Sequence, residues 1–278
     1  MIYVLYNPLS SGGNGKVEAE AVKAHYDGRE LTFLDVTAMN GYADFFKTLT
    51  QEDSIVICGG DGTLNRFASE AEALPSVNVY YFATGTGNDF GTDIGYKKGD
   101  APVLINEYIV GLPTVSVNGK EYKVLNGVGF GIDGYCCEVG DRQRAEGKKP
   151  NYTSIAITGL LFHYKPCDAT VIVDGVEHTF KKVWIAPTMH GRYYGGGMIA
   201  APDQKRGSGK VTVVLMYKAG RLPTLVVFPS IFKGEHVKHT KTVAAIEGKE
   251  ITVRFTEPKS LQVDGETILN VTEYTVKA

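Results

Sequence analysis

Four short stretches of this chain combine residue types that can do chemistry. The first is Gly59-Gly60-Asp61-Gly62-Thr63-Leu64-Asn65, directly after the apolar run 54–58. Glycines let a backbone approach a ligand closely, and a helix starting there presents unbonded N–H groups and the positive end of its dipole. Together these features suit phosphate. Asp61 is then the odd residue, because a carboxylate repels phosphate unless magnesium, or a water bound to one, stands between them. The same residues also read as a plain turn with a helix cap. The second stretch is Ala83-Thr84-Gly85-Thr86-Gly87-Asn88-Asp89-Phe90, again after an apolar run. It offers hydroxyls, an amide and a second acid, Asp89, or an Asn-Asp helix cap. The third, from Asn7 through Ser11 to Lys16, departs from the P-loop pattern: Ser10 stands at the first glycine position and Val17 follows Lys16. It reads as a second phosphate-contacting loop or a flexible strand-to-helix turn. The fourth is Asp264-Gly265-Glu266. A carboxylate just past a hairpin turn can orient a hydroxyl and take its proton, or simply face solvent.

The surrounding elements must position these turns. Strands are expected at 2–6, 31–36, 54–58 and 77–83, with helices at 17–25, 43–49 and 64–73 between them. Such alternation gives a parallel sheet covered on both faces, with ligands at the carboxyl ends of its strands. All three early turns fall at those ends. Beyond Pro113 the pattern changes to short alternating strands at 115–117, 123–128, 170–173, 182–187, 210–216, 242–246, 250–255 and 260–263. Turn signals such as Asn118-Gly119 and Asp174-Gly175 separate many of them, so an antiparallel sandwich or barrel is expected. Helices are expected at 133–147 and 152–163, and at 221–233 with a break at Pro229. The segment 222–232 reads as an interfacial amphipathic element or as core. The fold class is therefore α/β plus all-β, with domains at 1–112 and 113–265.

Composition narrows the function. The chain has 278 residues, 29 Lys and Arg against 31 Asp and Glu, and a net charge of -2. No basic field exists for nucleic acid. Its four cysteines include no Cys-x-x-Cys, a reduced, cytoplasmic pattern without a zinc cluster. No apolar run reaches the roughly 18 residues of a membrane span, and the N-terminus lacks a signal peptide's basic start. His163, His190, His236 and His239 are not at metal-ligand spacing. Oligomeric state, a homodimer included, is open.

Taken in order, Asn7-Pro8, Gly59-Gly60-Asp61-Gly62-Thr63-Leu64-Asn65 and Gly85-Thr86-Gly87-Asn88-Asp89-Phe90 resemble the diacylglycerol kinase catalytic domain family. Soluble bacterial lipid kinases are closest in length. Sphingosine kinases are related, and NAD kinases more distantly. Tyr194-Gly195-Gly196-Gly197-Met198 with Ala201-Pro202, and Val263-Asp264-Gly265-Glu266, also match. The resemblance implies an ATP-dependent lipid kinase with a nucleotide-binding domain, a β-sandwich and ATP in the cleft between them, the last stretch (266–278) returning to the first domain. It places Asn7, Ser11 and Thr37 near the nucleotide, and Gly59, Gly60, Asp61, Gly62, Thr63, Leu64, Asn65 and Thr86 around it. Glu266 becomes the general base. Asp61 and Asp89 stand near catalytic Mg2+, directly or through water. A membrane lipid, with transient peripheral membrane contact, is the implied partner. A NAD kinase-like enzyme and a nucleotide-binding regulator without turnover are the alternatives. Two departures stand out. Arg66 replaces the family's usual glutamate. Ser208 replaces an aspartate that helps hold a structural magnesium in bacterial relatives, so no structural metal is expected there.

Overall fold

The computed structural model describes residues 1–85 and 87–278; Thr86, expected near the nucleotide, lies outside the described residues. The chain divides into two compact units, Met1–Leu112 and Pro113–Ala278.

The first unit runs β1 (Ile2–Tyr6), α1 (Ser10–Gly13), α2 (Gly15–Glu20), β2 (Leu31–Asp35), α3 (Ala43–Phe46), β3 (Ser54–Gly59), α4 (Asp61–Ala68), β4 (Asn78–Ala83), α5 (Asp89–Asp93), β5 (Val103–Leu104) and α6 (Asn106–Ile109). Its sheet has the order β2-β1-β3-β4-β5. The first four strands are parallel, as expected. The short edge strand β5 pairs antiparallel with β4 and was not expected. Val4, Leu5, Val56, Ile57, Tyr81 and Phe82 are buried, which explains why these strands read as continuous apolar runs. The helices are shorter than the sequence suggested. The segment 17–25 splits into α2 and the 3-10 helix Ala21–His25, and 64–73 into α4 and the 3-10 helix Ala71–Ala73.

The second unit runs β6 (Thr114–Val117), β7 (Lys120–Lys123), β8 (Gly127–Gly131), α7 (Ile132–Ala145), α8 (Tyr152–Thr158), β9 (Cys167–Val173), β10 (Val176–Val183), β11 (Ile185–Met189), β12 (Tyr193–Tyr194), β13 (Met198–Ile199), β14 (Val211–Met216), α9 (Arg221–Val227), β15 (Val243–Gly248), β16 (Glu250–Val263) and β17 (Glu266–Lys277). All its strand pairs are antiparallel. The 14-residue β16 organises the unit. Its first half pairs with β9 and its last residues with β8, while β17 follows it along most of its length. Phe130, Val171, Val213, Val253, Leu261 and Tyr274 share the core this creates. Residues 266–278, which the resemblance returned to the first domain, instead belong here: β17 pairs with β16 and with β6. Among the described residues no helix is long and apolar enough to cross a membrane.

Candidate functional site

The in-register parallel strands bring their carboxyl ends level. Tyr6 lies beside Asp35 and Cys58, and Gly59 beside Ala83. The Asn7 loop, the turn around Thr37, and both glycine turns therefore gather at one edge of the first unit. Strand order reverses between β1 and β3, the switch point where such sheets take ligands.

Contact between the two glycine turns fixes their geometry. A Cβ on Gly85 would lie 2.7 Å from the Cα of Gly60, and one on Gly60 2.9 Å from the carbonyl oxygen of Gly87. Only bare backbone fits there. Thr84 N–H donates to the Gly59 carbonyl at 3.0 Å. The Tyr81 hydroxyl donates to Gly59 as well, at 3.1 Å. From this base α4 begins at Asp61, its first-turn N–H groups lack partners within the helix, and a Cβ on Gly62 would meet open space. Thr63 and Leu64 are buried under the turn, and the Asn65 Oδ1 is buried without a partner among the described residues.

Asp61 has a role the sequence did not show. Its Oδ2 accepts from Asp89 N–H and its Oδ1 from Phe90 N–H, both at 2.9 Å. It thereby caps α5, while Asn88 Oδ1 accepts from Gly91 N–H at 3.1 Å. Asp89 itself is buried. Each Asp61 oxygen keeps a further lone pair for a water. The first loop is tied in beside it. Ser11, in left-handed backbone at φ 52°, donates its hydroxyl to the Thr84 carbonyl at 2.7 Å. Lys98 donates to the same carbonyl at 3.0 Å and to Glu18 at 2.9 Å. Lys98 was missed from sequence because nothing near it signals a site. Asn7 Oδ1 accepts from Leu9 N–H at 2.9 Å and so shapes its own loop.

Arg66 does not face the phosphate turn as its position suggested. Its guanidinium donates to the carbonyls of Val36 (3.0 Å) and Met39 (2.8 Å) and lies over the Tyr42 ring. It latches the turn whose Thr37 hydroxyl and N–H both donate to Asp35.

In the second unit, Asp264 and Gly265 form a two-residue turn at φ 47° and 93°, with Val263 opposite Glu266. The Asp264 carboxylate accepts from the N–H groups of Leu125 (2.7 Å), Asn126 (2.7 Å) and Gly127 (3.0 Å). This interrupts the strand expected at 123–128. Burial pushes its pKa up to about 6, against the pull of those three donors and of Arg206. Arg206 donates to the Leu125 carbonyl and to Asn126 Oδ1. Glu266 opens β17, exposed, with no side-chain partner among the described residues. Nearby, burial raises the Cys137 thiol, and the charges of Asp133, Asp141 and Glu266 add to the rise. Tyr194, which opens the Tyr194–Met198 match, is buried and donates to Asp133 at 2.8 Å. Burial pushes Asp133 up to about 7. His236 is buried against the Ala200 carbonyl.

Residues 1–114 match the diacylglycerol kinase catalytic domain, and residues 126–275 match the YegS C-terminal NAD kinase beta sandwich-like domain. The chain belongs to the diacylglycerol kinase family. A diacylglycerol kinase of Mycobacterium tuberculosis (strain ATCC 25618 / H37Rv) is 24% identical over 85% of this chain and 80% of its own. One of Bacillus subtilis (strain 168) is 23% identical over 95% and 88%. A crystal structure of a diacylglycerol kinase from Bacillus anthracis str. Sterne has a TM-score of 0.64 at 17% identity, covering 99% of this chain and 92% of that one; it shows a shared fold. Within this kinase family's frame, the first unit's strand-end edge is the candidate nucleotide site.

That edge fits phosphate. It has a backbone-lined cradle that a Cβ would fill, and the buried Thr84 Oγ1 and Asn65 Oδ1 lack partners among the described residues. The described residues assemble no cluster of three acid, histidine or cysteine side chains for a metal.

Proposed function

We propose that the protein is an ATP-dependent lipid kinase that transfers the γ-phosphate to the hydroxyl of a lipid such as diacylglycerol. Membership of a kinase family supports the phosphotransferase class. The observation that carries the nucleotide site is the Gly60–Gly85 backbone contact, which leaves the start of α4 bare for phosphate oxygens. In this reading Asn7, Ser11 and Thr37 surround the nucleotide, and Gly59 to Asn65 hold the phosphates. Magnesium carried with ATP supplies charge neutralisation, held by Asp61 and Asp89 through water. Glu266 accepts the proton of the lipid hydroxyl as its oxygen attacks the γ-phosphorus, and ADP leaves. Its exposed position and lack of a competing partner suit a residue that must meet a substrate. A lipid substrate further implies action at a membrane surface by peripheral contact, from the cytoplasm.

The test incubates purified protein and radiolabelled ATP with separate pools of mixed lipid vesicles and of NAD. Label in a lipid is the expected result; label in NAD alone would move the protein to the soluble-substrate class. No transfer to either pool, with ATP bound, would make it a regulator. With a working lipid, Glu266→Gln should lower turnover by roughly 10²–10⁴ while ATP affinity holds. Turnover above half the wild-type rate would remove Glu266 from the chemistry.

A further inference from the structure

A polyphosphate wants positive charge beyond what backbone N–H groups supply, and the acids Asp61 and Asp89 at the strand-end edge sharpen that need. Arg66, Lys16 and Lys98 are the candidates by position. Arg66 is spent on the carbonyls of Val36 and Met39. Lys16 is exposed on α2 and has no hydrogen-bond partner among the described residues. Lys98 is bonded to a glycine turn itself: its Nζ lies 3.0 Å from the Thr84 carbonyl oxygen. The turn that presents Lys98 is braced. Asp100 N–H donates to the Lys97 carbonyl at 3.0 Å, Lys97 N–H donates to the Asp100 carboxylate at 3.1 Å, and Gly99 takes φ 97°. The Tyr96 hydroxyl donates to the Asp100 carbonyl at 3.0 Å. The Tyr96 ring packs on Tyr81, whose own hydroxyl reaches Gly59. The chain beyond α5 thus leads this lysine back to the second glycine turn.

The Thr84–Gly85 peptide is pinned on both sides. Its carbonyl accepts from the Ser11 hydroxyl at 2.7 Å and from Lys98, which occupies both oxygen lone pairs. Its N–H donates to the Gly59 carbonyl at 3.4 Å. Gly85 is the residue that touches Gly60, so the ammonium stands one residue from the bare backbone of the cradle. A lysine ammonium has three donors. One goes to Thr84 and one to Glu18 Oε2 at 2.9 Å, which leaves one. The Lys98 and Glu18 side chains are 55% and 32% exposed, so the ammonium turns without abandoning a buried partner. We infer that Lys98 is a phosphate-binding residue: it keeps its bond to the Thr84 carbonyl and gives its third N–H to an oxygen of the nucleotide's phosphates, for which the Glu18 carboxylate competes. The inference rests on the nucleotide-site reading of this edge. A compact, rotatable charge serves such a role without demanding a fixed plane.

The experiment titrates the full chain calorimetrically with magnesium–ATP, with magnesium–tripolyphosphate, and with adenosine, which carries no phosphate. Lys98→Met should weaken ATP and tripolyphosphate binding about tenfold and leave adenosine unchanged. Added salt should weaken ATP binding less in this variant than in the wild type, because one screened attraction is gone. Lys98→Arg keeps the charge and should stay within about threefold of wild type. Glu18→Gln keeps an acceptor for the ammonium and removes the competing charge, so it should bind ATP about two- to threefold more tightly. An exposed ion pair adds little to stability, so all three variants should melt with the wild type. Should Lys98→Met melt early, Glu18→Gln decides, since a mere structural brace predicts weaker binding from it. Lys98→Met that binds ATP as well as wild type, or that loses adenosine in equal measure, would overturn the assignment. So would a Glu18→Gln variant that binds ATP more weakly. A wild type that binds neither ATP nor tripolyphosphate would remove the nucleotide site and this residue's role together. Lys98-dependent ATP binding with no lipid phosphorylated would instead leave the assignment intact and remove the lipid kinase reading.

Discussion

Asp61 holds Phe90: a carboxylate from the first glycine turn accepts the backbone N–H at the start of the helix that follows the second, at 2.9 Å. One acid thus joins the two motifs that the sequence shows as separate. A purely metal-facing Asp61 would be removable without structural cost, whereas a helix-capping one is not. Asp61→Ala should abolish turnover and also lower stability, by about 1.5–3 kcal/mol for lost charge-assisted bonds to buried N–H groups. Urea melts read the second effect. An Asp61→Ala midpoint equal to wild type would show the cap to be idle.

Arg66 offers a test of the Thr37 turn. Replacing it with the glutamate usual in the family removes two hydrogen bonds to carbonyls and sets a carboxylate against them. Arg66→Glu should weaken ATP binding several-fold and lower the melting temperature. Calorimetric titration with ATP measures the first. An affinity equal to or better than wild type would mean that the turn does not depend on Arg66.

Arg206 does in the second unit what a bound cation would do. It bonds the Leu125 carbonyl and Asn126 Oδ1, and its charge lowers the Asp264 carboxyl against burial. Melts of the wild type with and without EDTA should superimpose. Arg206→Met should melt earlier and push Asp264 above about 6. A wild-type midpoint that falls in EDTA would reveal a metal sharing that loop.

Asp133 gives a pH dependence of definite sign. Its folded pKa is raised to about 7 from 3.8. The folded state therefore keeps its proton while the unfolded chain loses it, and stability falls as pH rises between those two values. Asp133→Asn still accepts from Tyr194 and cannot ionise. Its melting temperature should exceed wild type by several degrees at pH 8 and match it near pH 4. A variant less stable than wild type at pH 8 would show that the ionised carboxylate is wanted there.

The parallel sheet was legible because β1, β3 and β4 are buried on both faces and end in glycine turns, which the sequence displays as apolar runs with hard stops. Glu266–Lys277 was not read as a strand. Its residues alternate only loosely, and Asn270 at φ 56° marks the irregularity where Lys259 pairs with Val271. The site was legible at its glycines and acids and illegible in its partnerships. Asp264 reaches Asn126 across 138 residues, and no local pattern announces such a bond. Arg66 misled for the same reason: its neighbours in sequence are phosphate-turn residues, while its partners in space are Val36 and Met39.

The second unit's entrance and exit are neighbours, since Thr114 pairs with Lys277 at the β6–β17 edge. Its chain makes a closed circuit. Those two ends can be stitched by a few residues and the circuit cut elsewhere, for instance at the exposed Gly147 turn, with every strand pairing retained. Such a rewired unit separates the hairpin bearing Glu266 from the rest of the polypeptide, so that the assembly of that hairpin can be followed without the nucleotide-binding half.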